Sequence, residues 1–391
     1  MIDILPQAVQ ACCDTLRAAG YAAFPVGGCV RDLLLGRTPG DWDITTAAPP
    51  EAVMARFSRT VPTGIRHGTV TVLLDGMALE VTTFRRETGY ADGRHPDHVI
   101  FIPSLEGDLA RRDFTINAMA LGADGQIIDP FGGQGDLATR RIRAVGEPAL
   151  RFREDGLRIL RAARFAAQLD FIIEPDTAAA MRALADRLEA VSGERICAEL
   201  EKLITAPHPE RGGPLVPDGL PERLFPTGKS AGSVPLARLA LLEPDGLCRW
   251  AGLAALTGLS PTRLPMEKRV VRAVELGLTL PPLDGELVCL HALRACGVDA
   301  CRAATAAWDA RTGTKKHSTA LRAALCSGMP WKLADLDLTG RDLLRAGLRG
   351  PEIGAALSAL LDHVVEHPED NRRTHLLTLV TQQRKIWTNR A

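Results

Sequence analysis

Asp41 and Asp43 alternate with Trp42 in the segment Gly40-Asp41-Trp42-Asp43-Ile44. On a strand, this alternation projects both carboxylates from one face, where they repel each other unless a cation sits between them. Hard, oxygen-seeking Mg²⁺, which also takes phosphate oxygens, suits such a pair. Upstream lies Gly27-Gly28-Cys29-Val30-Arg31-Asp32. A glycine pair between a strand and a helix lets backbone N–H groups approach a phosphate, at a helix N-terminus that favours anions. Separately, Gly-Gly is a common turn and Asp-x-Asp a common surface pattern. Joined across one short helix, they point to metal-assisted phosphate chemistry.

Two further clusters carry charge in patterns that could serve a nucleotide. In Asp108-Leu109-Ala110-Arg111-Arg112-Asp113-Phe114-Thr115-Ile116-Asn117, a guanidinium fork can hold phosphate or ribose oxygens bidentately. The plainer alternative is a charged helix end running into a half-buried strand. The other cluster is Arg153-Glu154-Asp155-Gly156-Leu157-Arg158, continuing to Arg161 and Arg164. A spacing of three on one helix sets Asp155, Arg158, Arg161 and Arg164 on adjacent turns. A carboxylate beside a guanidinium offers acceptors and donors in fixed geometry, suited to reading a base edge and grasping a triphosphate. The alternative is a solvated face of i,i+3 ion pairs. Residues 140–164 hold eight arginines against three acids, the clearest internal basic stretch.

The elements that must position these residues divide into two kinds. Up to about residue 145 the pattern is mixed: a helix over 5–20, a strand over 21–26, a helix over 30–35, a strand at 43–45 and a helix over 51–57. Strand-like runs at 69–74 and 77–84 flank Asp75-Gly76, a strong hairpin signal. Short strands are expected at 99–102, 118–121 and 126–129. From about Pro148 the chain turns helical, with helices expected over 151–170 and 176–191 and a third opened by Ser192-Gly193-Glu194 through Leu203. Residues 207–235, rich in Pro and Gly, read as a long irregular connection, and the remainder is Ala/Leu-rich helix. This predicts an α+β protein with a head over 1–145, a helical neck over 146–205 and a helical body and tail over 206–391.

Composition excludes several classes. The chain has 391 residues, with 47 basic and 47 acidic side chains, long enough for two or three compact units. Hydrophobic residues at 46% and charged residues at 24% are ordinary globular values. Aromatics at 4% are too few for base stacking to be the main recognition device. A net charge of zero argues against general stickiness toward nucleic acid while leaving room for a local basic surface. The nine cysteines include no CxxC pair and no zinc spacing, which favours reduced, buried thiols. No signal peptide or bilayer-length apolar run is visible, so a soluble, cytoplasmic protein without membrane partners is expected.

Two motif matches fail on context. Gly133-Gln134-Gly135 with Ala138 imitates a dinucleotide fingerprint, but no βαβ unit with a second-strand acid follows. Gly228-Lys229-Ser230 imitates the end of a P-loop, but Arg223 stands where its first glycine belongs. The histidines at 67, 95, 98 and 291 show no ligand or triad spacing, and no His-Asp dipeptide occurs.

Taken together, the motifs resemble the bacterial class II CCA tRNA nucleotidyltransferase and poly(A) polymerase family. GGCVRDLLLGRTPGDWDITT resembles its metal and phosphate motif, RRDFTINAMA its ribose-side motif, and IIDPFGGQGDL the strand and turn after it. EDGLRILRAARF resembles the nucleotide-template motif and SGERICAELEKLI the helix that braces it. The motifs fall in family order over residues 22–205; beyond that, only helical character matches. The resemblance implies a DNA-polymerase-beta-like nucleotidyltransferase head with a mixed sheet, followed by an all-helical neck, body and tail. It implies that Asp41 and Asp43 hold Mg²⁺, that Gly28 and Arg31 touch the triphosphate, and that Arg112 serves the sugar-phosphate side. Asp155 and Arg158 would pair with the base edge, Arg161 and Arg164 would complete the pocket, and Glu80 is a weaker candidate for a third carboxylate.

The activity implied is template-independent addition of CCA to the 3′ end of tRNA from CTP and ATP, with tRNA rather than DNA as the partner. Poly(A) polymerase, a partial CC- or A-adding enzyme, and a non-catalytic RNA-binding protein are the alternatives. Gly64-Ile65-Arg66-His67-Gly68-Thr69-Val70 looks like the tRNA enzymes, and the loop Arg86–Arg94 looks like the one that supports the switch to ATP. Residues 371–391 contain Arg372, Arg373, Arg384, Lys385 and Arg390 and no acid, which suggests a track for tRNA phosphates.

Overall fold

The polar–apolar alternation of Thr69-Val70-Thr71-Val72 and of Ala78-Leu79-Glu80-Val81 is the signature of strands with one buried face. The structure, a computed structural model, describes residues 5–88, 98–212 and 236–382. It divides into two compact units, Met1–Val234 and Pro235–Ala391. In the first unit, helix α1 (Gln7–Ala18) precedes β1 (Ala23–Pro25), α2 (Gly28–Leu34), β2 (Asp43–Thr46), α3 (Pro50–Arg56), β3 (Thr60–Gly64), β4 (Thr69–Leu74) and β5 (Met77–Thr83). The five strands form one sheet in the order β1-β2-β5-β4-β3. Strands β2 and β5 run parallel, and the other neighbours antiparallel. Val70, Val72, Leu79 and Val81 are fully buried beneath it, each worth about 1.5–3 kcal/mol of removal from water.

The Asp75-Gly76 hairpin forms as expected, with φ of 48° and 79° at its two residues, the geometry that matches strand twist in a two-residue turn. Strand β3 was not legible. Its side chains are exposed at all three central positions, so it carries no alternation, and its Pro62 is tolerated because it lies at the sheet edge. Beyond the sheet come β6 (Arg85–Thr88), β7 (His98–Phe101), α4 (Leu105–Ala110), β8 (Ala120–Leu121), β9 (Ile127–Ile128), α5 (Gly133–Ala138) and β10 (Arg141–Ile142). The expected strand over 118–121 shortens to two residues because Thr115–Asn117 form a 3-10 turn. The false dinucleotide motif is a packing device. Gly133 lies against the Thr115 carbonyl, and Asp129 accepts hydrogen bonds from the N–H groups of Gly133 and Gln134, at 2.7 and 2.9 Å.

The helix expected over 151–170 is two helices, α6 (Pro148–Glu154) and α7 (Leu157–Leu169). Asp155 between them has extended backbone, φ −146° and ψ 107°. Its carboxylate accepts from the Leu157 N–H at 3.0 Å, and so competes with the helix for backbone donors. Gly156 is needed beside it because a Cβ there would stand 2.7 Å from the Arg187 carbonyl oxygen. After β11 (Ile172–Ile173) and α8 (Pro175–Ala183), the expected second helix tightens into a 3-10 stretch, Ala185–Ala190. Helix α9 (Gly193–Ile204) then packs on α7.

The second unit is helical: α10 (Gly246–Thr257), α11 (Lys268–Thr279), α12 (Glu286–Thr312), α13 (Lys316–Cys326), α14 (Gly340–Arg345), α15 (Pro351–Glu366) and α16 (Arg373–Gln382). Helix α12 bends at Gly297, whose φ of 79° and ψ of 172° leave helical space. Leu290, Leu293, Leu343, Leu360, Leu361, Val364, Val365, Leu376 and Val380 belong to one buried cluster. All nine cysteines are free thiols, seven of them buried, and burial pushes Cys12 and Cys13 up to about 12. No helix among the described residues is long and apolar enough to cross a membrane.

Candidate active site

Strand β2 begins at Asp43; Asp41, expected to alternate with it along one strand, lies instead in the bend just before it, so the ladder sets the face of Asp43 alone. In the parallel ladder Asp43 sits opposite Glu80 of β5, and register partners share a face of the sheet. Leu79 and Val81 take the buried face, so the pleat turns Glu80 to the face of Asp43. Burial raises the Asp43 carboxyl above its ordinary value, opposed by Arg112 and reinforced by Asp41. Burial, then Asp43, then Asp41 raise Glu80. The three acids therefore act on one another, with Arg112 the cation nearby. That shortage of positive charge fits a divalent metal bound through oxygen ligands.

Of the two glycines, Gly27 is the one the geometry requires. Its φ is +82°, and a Cβ on it would stand 2.8 Å from Arg112 Nη1 and 3.7 Å from Asp43 Oδ2. Gly28 opens α2 with room for a Cβ, 3.7 Å from Arg31 Nη2. From α2, Arg31 donates to Asn117 Oδ1 at 2.8 Å and to Asp32 at 2.9 Å. Arg112 faces the buried Asp108 at 3.6 Å, while its Nε has no hydrogen-bond partner among the described residues. Desolvation lowers the Arg112 pKa. A buried donor without a partner is costly, and a ligand oxygen would satisfy it.

Around α7 the arginines are ion-paired in depth. Arg161 donates to Asp113 at 2.8 Å, Arg164 to Glu199 at 2.6 Å, and Arg158 to Glu154 at 2.6 Å and to the Arg111 carbonyl at 3.0 Å. Burial alone would raise Asp113, but Arg161 beside it, with Arg158 and Asn117, holds it at about 2. Arg31, Arg161 and Arg164 all lie over the Phe165 ring, at 5.2, 5.4 and 3.9 Å from its centroid. Arg31 of α2 and the arginines of α7 thus meet on one aromatic side chain. Asp155 is gripped from α9 by Arg195, at 2.7 and 3.2 Å.

The sequence-predicted residues therefore converge in the first unit: Arg31, Asp43 and Arg112 on the sheet side, Arg158, Arg161 and Arg164 on α7. Beside the placement of Asp41, a second expectation is corrected. Asp155 is not on a helical turn with the arginines; it stands at the break before α7, where Gly156 and its own carboxylate end the helix. Sequence reasoning missed Asp113, Asn117, Phe165, Arg195 and Glu199 as the supporting groups. All five lay inside quoted motifs, Asp113 and Asn117 in RRDFTINAMA, Phe165 in EDGLRILRAARF, and Arg195 and Glu199 in SGERICAELEKLI, whose resemblance to a bracing helix named the helix but not the side chains. In the C-terminal basic stretch, Arg373 is engaged by Asp342 at 2.5 Å, and Arg384, Lys385 and Arg390 lie outside the described residues. Most of the loop Arg86–Arg94 and Gly228-Lys229-Ser230 lie outside them too.

Comparison with known proteins places this geometry in a family. The Poly A polymerase head domain matches residues 23–143, and the domain described as "Probable RNA and SrmB- binding site of polymerase A" matches residues 170–231. The CCA-adding enzyme of Levilactobacillus brevis is 39% identical over 384 residues, 94% of this chain and 96% of that one. The CCA-adding enzyme of Limosilactobacillus fermentum is 41% identical over 90% of each chain. The crystal structure of the Bacillus stearothermophilus CCA-adding enzyme in complex with CTP matches with a TM-score of 0.76 at 33% identity, covering 99% of this chain and 100% of that one. With relatives matched over nearly their whole length and a nucleotidyltransferase head followed by helical regions, the chain belongs to the family of CCA-adding enzymes.

Proposed function

We propose that this chain adds CCA to the 3′ end of tRNA, using CTP and ATP without a nucleic-acid template and releasing pyrophosphate. The observation that carries the reading is a junction within one unit: a carboxylate set short of positive charge beside an arginine pocket already locked by its own acids. Nucleotidyltransferases of this family generally use divalent metal ions, and Mg²⁺ fits the oxygen-only donors Asp41 and Asp43, with Glu80 as the third carboxylate. When bound, the metal lowers the pKa of the attacking 3′-hydroxyl and stabilises charge on the leaving oxygens.

The chain's own part is positioning and electrostatics. The Gly28 backbone and Arg31 hold the triphosphate, and Arg112 takes an oxygen on the sugar-phosphate side. Asp155 accepts and Arg158 donates toward the base edge, so the protein itself is the template. Arg195 and Glu154 hold that pair in place, while Asp113 and Glu199 fix the planes of Arg161 and Arg164. The tRNA 3′-oxygen then attacks the α-phosphorus, and its bond to the pyrophosphate oxygen breaks. In this reading the head spans 1–145, the neck 146–205, and the body and tail 206–391 hold tRNA, in the cytoplasm.

The test is incubation of tRNA lacking its 3′ CCA with Mg²⁺ and labelled CTP and ATP, separately and together. CTP alone should extend the RNA by two residues, and both nucleotides by three, ending in A. Long runs of A would identify a poly(A) polymerase, arrest after C a partial enzyme, and no extension a binding protein without chemistry. Each of these overturns the reading.

A further inference from the structure

We propose that His363, Asp370 and His375, in the second unit, form a binding site for a transition-metal cation of the Zn²⁺ type. The three residues come from consecutive elements: the last turn of α15, the 3-10 turn Pro368–Asp370, and the first turn of α16. His363 Nε2 stands 2.8 Å from Asp370 Oδ2, and His375 Nε2 stands 3.5 Å from Asp370 Oδ1. One ligand atom from each residue falls within 4.8 Å of the other two. Donors around a tetrahedral Zn²⁺ at about 2.0–2.1 Å are separated by roughly 3.3 Å, so these spacings bracket what such an ion needs.

The donor chemistry selects the ion. Two imidazole nitrogens and one carboxylate oxygen suit Zn²⁺, Ni²⁺ or Co²⁺ rather than Mg²⁺, which takes oxygen donors. His367, the non-helical residue that caps α15, brings its ring to 4.9 Å from that of His363. That proximity leaves His367 or water for the fourth position. All three ligands are partly exposed, with side-chain accessibilities of 34, 27 and 47%, so an ion can enter from solvent.

The connection that carries Asp370 is held from both sides. Asn371 accepts from the Asp337 N–H at 2.9 Å and donates to the Asp335 carbonyl at 2.8 Å. Arg373 is fastened to Asp342, which fixes the start of α16. A second acidic group offers a contrast: Glu243, Asp245 and Cys248 also lie within metal reach of one another. There Arg302 already supplies the cation, 2.8 Å from Glu243 and 2.7 Å from Asp245. Among the described residues no lysine or arginine pairs with the Asp370 carboxylate, and the proposed nucleotide transfer uses none of the three ligands.

The experiment titrates Zn²⁺ into the full chain by calorimetry after chelation, in millimolar Mg²⁺ to fill oxygen-ligand sites. Co²⁺ serves as the spectroscopic probe. One equivalent of Zn²⁺ should bind, Co²⁺ should give visible absorption of a nitrogen- and oxygen-ligated ion, and thermal stability should rise with the metal. His363→Ala and His375→Ala should each weaken binding by about tenfold or more, while His291→Ala leaves it unchanged. Because His375 is half exposed, its variant also tests the site without disturbing the core; helical circular dichroism checks its fold. Failure of the wild-type chain to take up one equivalent, or binding unchanged in both histidine variants, would overturn the proposal and leave a hydrogen-bonded ion pair only.

Discussion

Two groups of acids in the first unit face opposite electrostatic fates. Asp43 is raised by burial and by Asp41 against the pull of Arg112, and Glu80 by burial and then by Asp43 and Asp41. Asp108 and Asp113 are buried more deeply, yet arginines overcome that burial and hold both below the usual carboxylate range. The first group is incomplete as folded and has a use for a cation from outside. The second has its cations built in and acts as scaffold. A site that moves phosphate needs both, because a metal cluster with its charge already neutralised would bind no metal, and a base-reading pocket without internal partners would not hold its shape.

The comparison breaks most sharply at Asp43. Asp43→Asn should reduce CMP incorporation into tRNA by about 10⁴-fold, the loss of several kcal/mol of metal-borne stabilisation. The same variant should leave urea stability of the metal-free protein unchanged or improved, since it removes a repelled charge. Near-normal turnover would sink the metal assignment. Asp113→Asn should do the opposite to stability, costing about 3 kcal/mol in urea unfolding because Arg161 loses its nearer partner and keeps only Glu199, at 3.7 Å.

Base reading should move by less. Asp155→Ala or Arg158→Ala should blur the choice between CTP and ATP by about 1–3 kcal/mol, measured as the ratio of kcat/KM values. A uniform fall in rate with unchanged selectivity would mean these are structural ion pairs alone. Arg195→Ala, which acts only through Asp155, should lose part of that selectivity, and Arg195→Lys should restore some of it. If Arg195→Ala lowers stability without touching selectivity, Arg195 is a brace for the fold and not for the template.

The smallest effect is in the pH dependence of stability, and its sign separates the groups. Asp43 and Glu80 have folded pKa values above their unfolded ones, so the folded state holds the extra protons. In chelator, their contribution should therefore decline as pH rises above about 4 through the raised values, and a divalent ion should remove the decline. Asp113 runs the other way. Its contribution is present above its ordinary value of 3.8 and is lost as pH falls toward about 2. Urea titrations across pH, with and without Mg²⁺, measure both, and Asp113→Asn should shrink the acid limb while leaving the part that Asp108 carries.

Local pattern carried far in this chain. The hairpin at Asp75-Gly76, the buried faces of β4 and β5, and the acid pair around Trp42 all depend on residues within a few positions of one another, and so were legible without a fold. The supporting contacts were not. Asp113 meets Arg161 and Asp155 meets Arg195 across long stretches of chain, and no periodicity in either segment names its partner. Strand β3 exists because β4 offers it a backbone ladder, not because its side chains alternate.

The break before α7 shows the division most plainly. The spacing of Asp155, Arg158, Arg161 and Arg164 is equally consistent with one helix; the break depends on the Asp155 carboxylate, held from α9 by Arg195, and on the close approach of the Arg187 carbonyl to Gly156. The same holds for His363, Asp370 and His375, whose convergence depends on how α16 folds back after the 3-10 turn. Residue types and short spacings thus determined which chemistry this protein can perform, since charge, size and hydrogen-bonding capacity belong to the side chain itself. Which acids are neutralised and which are left short of cations was decided by tertiary packing, because a Coulomb interaction depends on distances that only the folded chain sets.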